Sequence, residues 1–316
     1  MPGCAAAETG GLGCARLAGR FAGGLDGERA RPGRRRRPRC PGGAVTHRLP
    51  FVKMHGAGND FIMLDAADLV PGELLDRDRI AALCDRRRGV GADGLIVVGP
   101  AAGADFGMAY YNSDGGEASM CGNGARCAFA FARDRGLIER EGTCATASGP
   151  LRGRCEDDGL VSVDLTPPRG LELGIAAAGD HPFGELHRAD TGVPHLVVPV
   201  GDADAVDVPR WGAALRRDAA FAPDGTNVNF VAPAGDAWRL RTYERGVEAE
   251  TLACGTGASA TALVLWKLGR AASPVVLLTR GGDRLTITVT PDGASAKLRL
   301  NGPAVTSFRG EVDGDV

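Results

Sequence analysis

A chain of 316 residues, 24% charged and 44% hydrophobic, has the make-up of a globular protein and the length of two domains of middling size. The formal charge of −2 conceals an asymmetry: residues 1–48 carry ten Arg against Glu8, Asp26 and Glu28, a balance of +7 that leaves −9 for the rest and argues against a nucleic-acid partner. No apolar run approaches the length of a membrane span, so no membrane partner is expected.

Residues 1–48 are rich in Gly, Ala and Arg, include Arg34-Arg35-Arg36-Arg37, and have no hydrophobic periodicity. Such a segment buries too little apolar surface to offset its ordering entropy, and a disordered extension is expected. A transit peptide would suit the shortage of acids, but serine is absent and no amphipathic helix emerges. A basic tail for nucleic acid is the other functional reading. Lysine occurs only at 53, 267 and 297 against 34 Arg, a bias of GC-rich genomes, in which a stretch upstream of the true start is easily translated in error.

From Leu49 the pattern becomes structural. Leu49 to His55 and Phe61 to Asp65 read as strands around the turn Gly56-Ala57-Gly58-Asn59-Asp60, and Arg77 to Arg86 has helical spacing through Ile80, Leu83 and Cys84. Gly89 to Gly94 forms a glycine loop into the buried strand Leu95 to Val98. No Lys-Ser/Thr follows that loop, so it does not read as a nucleotide site. A strand from Phe106 to Asn112 leads to Cys121-Gly122-Asn123-Gly124 and an apolar helix from Ala125 to Arg133. Strands at Thr143 to Ala147 and Leu160 to Leu165 follow, and Pro167-Pro168 closes the unit. The second half has a similar layout. Strands are expected at Leu186 to Asp190, Leu196 to Val200 and Arg239 to Tyr243, with a short helix near Trp211 to Arg217 and a turn at Gly225-Thr226-Asn227-Val228-Asn229-Phe230. Cys254-Gly255-Thr256-Gly257 then opens a helix from Ala258 to Leu268, and strands near Val275, Leu285 to Val289 and Lys297 to Leu300 complete a distant internal repeat. Both long helices are apolar on most faces, so each is expected to be wrapped by its own half's strands.

The paired Cys-Gly-x-Gly stretches carry the chemistry. Glycines at a helix start leave N–H groups bare beside the positive end of the helix, a setting that suits a carboxylate and is expected to lower a cysteine pKa. One such stretch is a weak signal, whereas two with cysteine in the same place suggest matched acid–base groups. Removing a proton from one face of a carbon and delivering one to the other needs two bases or one that swings across, and a thiolate facing a thiol fills both roles. The nine cysteines are an odd set with no Cys-x-x-Cys, so neither structural zinc nor another metal is expected. With no secretory signal they read as reduced thiols in a cytoplasm, and Cys84, Cys127, Cys144 and Cys155 read as core residues.

Lys53-Met54-His55-Gly56-Ala57-Gly58-Asn59-Asp60-Phe61, Asn112-Ser113-Asp114-Gly115 running into Cys121-Gly122-Asn123-Gly124-Ala125-Arg126-Cys127, Tyr243-Glu244-Arg245-Gly246 and Ala253-Cys254-Gly255-Thr256-Gly257 resemble diaminopimelate epimerase, in order from about Leu49 onward. The resemblance implies epimerisation of LL-2,6-diaminopimelate to the meso form without a cofactor, on the path to lysine and peptidoglycan. It implies an α/β (α+β) fold of two similar halves, each a curved, mostly antiparallel sheet wrapped around a central helix, with substrate in the cleft between. By the same match Cys121 and Cys254 are the two bases and His195 and Glu244 their helpers. Asn59, Asn112, Gly122, Asn123, Asn227, Glu244, Arg245, Gly255 and Thr256 hold substrate. A homodimer is implied, with Phe308 where the family often has a contact aromatic. The expected division is an extension at 1–48, a first half at 49–166 that takes in the last strand at about 303–316, and a second half at 167–302. Two positions depart from the family: Val193, where Asn commonly precedes Pro-His, and Gly94, where Gln often follows the glycine loop. The alternative within enzymes is another cofactor-independent racemase or epimerase of this fold, acting on proline, hydroxyproline or another amino acid. A thiol redox or metal-binding protein and a non-catalytic amino-acid-binding module are the other classes.

Overall fold

The structure, a computed structural model, describes residues 48–69, 75–118, 121–293 and 295–313. The expected extension at 1–48 lies outside the described residues except for Arg48.

β1 (Arg48–Gly56) and β2 (Asn59–Asp65) form a hairpin. Its two-residue turn, Ala57-Gly58, has positive φ at both positions (55° and 86°), the twist that suits a tight antiparallel connection. After α1 (Arg77–Cys84), β3 (Gly94–Gly99) runs parallel to β2 and antiparallel to β4 (Phe106–Asn112). The short β5 (Glu117–Ala118) leads to α2 (Gly122–Asp134). β6 (Glu141–Thr146) then lies parallel to β4, with β7 (Gly149–Cys155) and β8 (Leu160–Asp164) added antiparallel.

β9 (Arg169–Ile175) ends that run, and β10 (Leu186–Asp190) begins a second with the same pairing sequence. β10 is antiparallel to β11 (Pro194–Pro199), β11 parallel to β12 (Asn227–Ala234), and β12 antiparallel to β13 (Ala237–Glu244). α3 (Val208–Arg216) packs on β12 and β13. The short β14 (Ala249–Thr251) precedes α4 (Gly255–Lys267). β15 (Val275–Leu278) lies parallel to β13, and β16 (Arg284–Asp292) and β17 (Ser295–Pro303) follow antiparallel. The final strands are exchanged. β9 pairs with β10 of the second run, and β18 (Val305–Asp313) pairs with β1 of the first. A β8–β17 ladder joins the runs, so all eighteen strands of the described residues share one hydrogen-bonded network.

Both long helices are buried nearly end to end, α2 from Gly122 to Ala132, as their all-round apolar pattern requires. Phe129 of α2 meets Phe106 edge to face at 5.0 Å and fills the place of a side chain at Gly153, where a Cβ would stand 2.7 Å from its ring. The helices begin earlier than the pattern suggests. Gly122 and Gly255 are already helical and Cys121 and Cys254 are the extended N-caps, so the Cys-Gly-x-Gly stretches are first helical turns and not preceding loops. Close packing explains the second glycine of each stretch: a Cβ at Gly124 would lie 2.8 Å from Ile96 Cδ1, and one at Gly257 2.3 Å from Asn229 Oδ1. The expected turn at Gly225 to Phe230 is likewise mostly strand, since β12 starts at Asn227. Among the described residues no helix is long and apolar enough to cross a membrane.

Candidate active site

α2 and α4 point their N-termini at each other. A Cβ at Gly255 would lie 3.7 Å from Gly122 Cα, and one at Gly122 would lie 3.9 Å from Gly255 Cα, with Leu300 against both. The first N–H groups of an α-helix have no partner within it, so two donor clusters and two positive ends converge on one space. Cysteine is a poor N-cap, and neither thiol closes a side-chain cap bond.

The thiols are less acidic than the helix ends alone would make them. Burial pushes Cys121 up and outweighs the Gly124 and Asn123 amides that favour its thiolate, with Glu244 raising it further. Burial and then the Glu244 charge push Cys254 well up, against Thr256 and the Gly257 amide. The expected lowering is therefore reversed, because desolvation exceeds the field of one helix turn. Cys254 Sγ lies 3.4 Å from Thr256 Oγ1. Glu244 is hydrogen-bonded to Cys254 and raised by burial, and its Oε1 accepts from the Thr251 hydroxyl.

Asn59 forms the floor beside the first thiol. Its Oδ1 lies 3.5 Å from Cys121 Sγ and accepts from Asn123 Nδ2 at 3.3 Å, while its Nδ2 donates to Asp93 at 2.7 Å. Asp93 and Asp60 are bridged by Arg86, with contacts of 2.7 Å to each, and Lys53 Nζ stands 2.8 Å from Asp60. Burial opposes the Asp60 charge, but the hydrogen bonds from Arg86 and Lys53 outweigh it and hold its carboxyl far below the usual range. Asn123 reaches the other half, its Nδ2 donating also to Ala253 O at 3.2 Å. It is held by Arg126, which is fully buried and donates to Asn123 Oδ1 at 3.0 Å, Gly122 O at 3.2 Å and Pro303 O at 3.1 Å. A Cβ at Gly56 would lie 3.2 Å from that guanidinium, so the glycine leaves it room.

The second half supplies the other wall. Asn227 Nδ2 donates to Pro194 O at 3.1 Å and its Oδ1 accepts from the Arg245 amide at 2.9 Å, which fixes the end of β13. Arg245 Nη1 donates to Asp224 O at 3.3 Å. His195, fully buried, faces Asn229 Nδ2 through Nδ1 at 3.1 Å, and its Nε2 has no hydrogen-bond partner. Burial and then Arg245 hold its pKa down at about 3. Thr256 O accepts from Thr191 Oγ1 at 2.8 Å.

Asn112 ends β4 in register with Gly94, and its Oδ1 accepts from Tyr110 OH at 3.0 Å. Tyr110 explains Gly94: a Cβ there would stand 2.8 Å from the Tyr110 ring and 2.5 Å from Tyr111 O. The Cys121, Cys254, Asn59, Asn123, Gly122, Gly255, Thr256 and Glu244 positions thus surround the facing helix ends. Asn227, Arg245 and His195 lie along the neighbouring strand ends, and Asn112 is exposed beyond the first thiol's wall. Phe308 stands apart on β18, 49% exposed and edge-on to Phe51 at 5.9 Å.

A family description for diaminopimelate epimerase matches residues 51–171 and 188–306, most of the chain and both helix ends. The chain belongs to the diaminopimelate epimerase family. It is 40% identical over 280 residues to the diaminopimelate epimerase of Aquifex aeolicus, covering 85% of this chain and 99% of that one. It is 41% identical over 278 residues to that of Gemmatimonas aurantiaca, covering 84% and 100%. The backbone also resembles a Bacillus anthracis protein of the phenazine-biosynthesis PhzF family (TM-score 0.67, 18% identity, 84% of this chain and 99% of that one). A hydroxyproline epimerase from Agrobacterium vitis is alike to a similar degree (TM-score 0.61, 20% identity, 85% and 93%), and both likenesses are of fold.

Motif reading missed the residues that hold others in place: Asp93 under Asn59, Arg126 under Asn123, Asn229 beside His195 and Thr251 beside Glu244. Signals existed for Asn229, two residues beyond Asn227 on one strand and so on its face, and for Arg126, three residues beyond Asn123 on one helix.

Proposed function

We propose that this chain interconverts LL- and meso-diaminopimelate by a two-base exchange between Cys121 and Cys254. The observation that carries the reading is the meeting of α2 and α4, N-terminus to N-terminus, with a thiol at the start of each. A carboxylate between the helix ends accepts their free N–H donors, which places its α-carbon beside both sulfurs. One thiolate takes the α-proton and becomes a thiol. The electron pair left on carbon spreads into the carboxylate, whose oxygens already face fixed donors. The opposite thiol gives its proton to the other face and becomes the thiolate. Atoms and charge balance without an electron acceptor, and the reverse reaction starts from the exchanged pair.

Glu244 is placed to take the Cys254 proton, because it is bonded to that thiol and burial raises its own affinity for a proton. Asn59 and Asn123 orient the first thiol, with Gly122, Gly255 and Thr256 lining the carboxylate seat. Asn112, Asn227 and Arg245 take the far end of the substrate, where an arginine and amides suit a second amino-acid group. The functional units are residues 49–166 with the closing stretch from about 303 that holds β18, and 167–302. The protein works as a homodimer with Phe308 at the contact, in a reducing cytoplasm that keeps both thiols free.

Incubating the protein with each isomer and following stereochemistry tests the reading. Either isomer should relax to the same mixture, and no turnover of either would overturn it. Conversion of proline or hydroxyproline instead would move the chain to the neighbouring substrate class.

A further inference from the structure

The hydrogen bonds around Asn229 determine which nitrogen of His195 carries the proton. Asn229 Nδ2 stands 3.0 Å from Leu196 O. A carbonyl only accepts, so this contact fixes the amide with its NH2 on that side. The Thr242 hydroxyl donates to Asn229 Oδ1 at 3.0 Å, in keeping with that orientation. The second N–H of the same NH2 points at His195 Nδ1, 3.1 Å away. Nδ1 must therefore present a lone pair, and a neutral ring then has its proton on Nε2. A doubly protonated ring would set Nδ1–H against Nδ2–H, two donors face to face in a fully buried place. Burial opposes imidazolium as well, as does the Arg245 charge. The remaining N–H, on Nε2, is buried without a partner, although buried donors are nearly always bonded. Asn229 is also set against the second thiol's turn, since a Cβ at Gly257 would lie 2.3 Å from its Oδ1 and 3.4 Å from Cys254 Cβ.

We propose that Asn229 is a positioning residue that locks His195 as a neutral Nε2–H donor for an anion of the reaction, a substrate carboxylate or a thiolate, so that this histidine donates a hydrogen bond and does not accept the proton of a thiol. The identity of the acceptor rests on the epimerase reading, while the state of the ring does not.

Long-range proton–nitrogen NMR of the ¹⁵N-labelled protein decides the matter, with the His195 signals identified by their loss in His195→Gln. The ring should have Nε2 protonated and Nδ1 bare, without change from about pH 5 to about pH 9, a range in which a free histidine titrates. Asn229→Asp offers an acceptor to Nδ1 and should move the proton there. If that variant does not fold, the unsubstituted spectrum still decides. An Nδ1–H ring, or imidazolium within that range, overturns the proposal. Diaminopimelate, with binding verified by calorimetry, should shift the Nε2–H signal. The same shift in a Cys121→Ala, Cys254→Ala double variant assigns the acceptor to a ligand carboxylate, and its loss there assigns it to a thiolate. No shift in either protein overturns the donor role. A protein with the Nε2–H spectrum that fails to epimerise diaminopimelate refutes the epimerase reading and leaves the tautomer standing.

Discussion

Gly122→Ala separates what the facing helix ends do for the fold from what they do for the reaction. The new methyl would lie 3.4 Å from Leu300 Cδ2 and 3.9 Å from Gly255 Cα, ordinary van der Waals contacts that force nothing to move. Alanine in place of glycine in a helix is worth up to about 1 kcal/mol, less at the first turn, so the melting temperature should hold or rise by about 2–4 °C at most. The methyl nonetheless lies between the helix starts, beside the N–H donors proposed to hold the carboxylate. Losing pre-aimed donors of this kind costs about 10²–10³-fold in kcat. Gly257→Ala makes the contrast. Its Cβ would meet Asn229 Oδ1 at 2.3 Å, and overpacking of about 1–3 kcal/mol exceeds the same helix gain, so that variant should melt lower. Calorimetry together with a stereochemical assay reads both quantities. Normal turnover by a stable Gly122→Ala protein would refute a carboxylate seat between the helices.

Replacing either cysteine with alanine should abolish epimerisation while leaving α-hydrogen exchange in deuterated water for the one isomer that the surviving thiol reaches; exchange of the same isomer by both variants would mean a single mobile base. Arg126→Met should cost about 2–4 kcal/mol in urea unfolding, because Gly122 O, Asn123 Oδ1 and Pro303 O lose their donor in a buried place, and a cost near zero would mean those acceptors find other partners. The low Asp60 carboxyl binds a proton less readily in the folded chain than in the unfolded one, so its contribution is complete above about pH 5 and drains away as pH falls below that. Asp60→Asn should accordingly weaken the protein at neutral pH and flatten the loss of stability between about pH 5 and pH 3, whereas an unchanged slope would place the acid sensitivity elsewhere.

Much of this was legible in the sequence because it is local. The strand from Phe106 to Asn112 and the two apolar helices follow from periodicity, and the cysteines that open those helices mark the candidate site. Contacts between distant segments were not legible. Nothing in the spacing of Asn59 and Asp93 announces a 2.7 Å hydrogen bond, and nothing near Gly94 says that a tyrosine sixteen positions on will lie over it. The acidity of the thiols came out reversed for a related reason. The helix end beside Cys121 is visible in its own motif, while the distant groups that act on the thiol, Asn59 at 3.5 Å and Glu244, are not.

The exchange of final strands has a consequence for how the molecule comes apart and together. The outer edge of β1 is covered by β18, so Leu49 finds its partner in Val312, and the second run is likewise edged by β9 from the first. Neither run is finished by its own residues, and an isolated first run would present β1 as a bare edge open to other chains. Denaturation should therefore be a single event and not a succession of two, with the intact protein losing both thiol-bearing walls at once. During synthesis β1 can pair with β2 at once but waits, of the described strands, longest for its other neighbour, a long-range pairing that ties the speed of maturation to one of the most distant contacts in the fold.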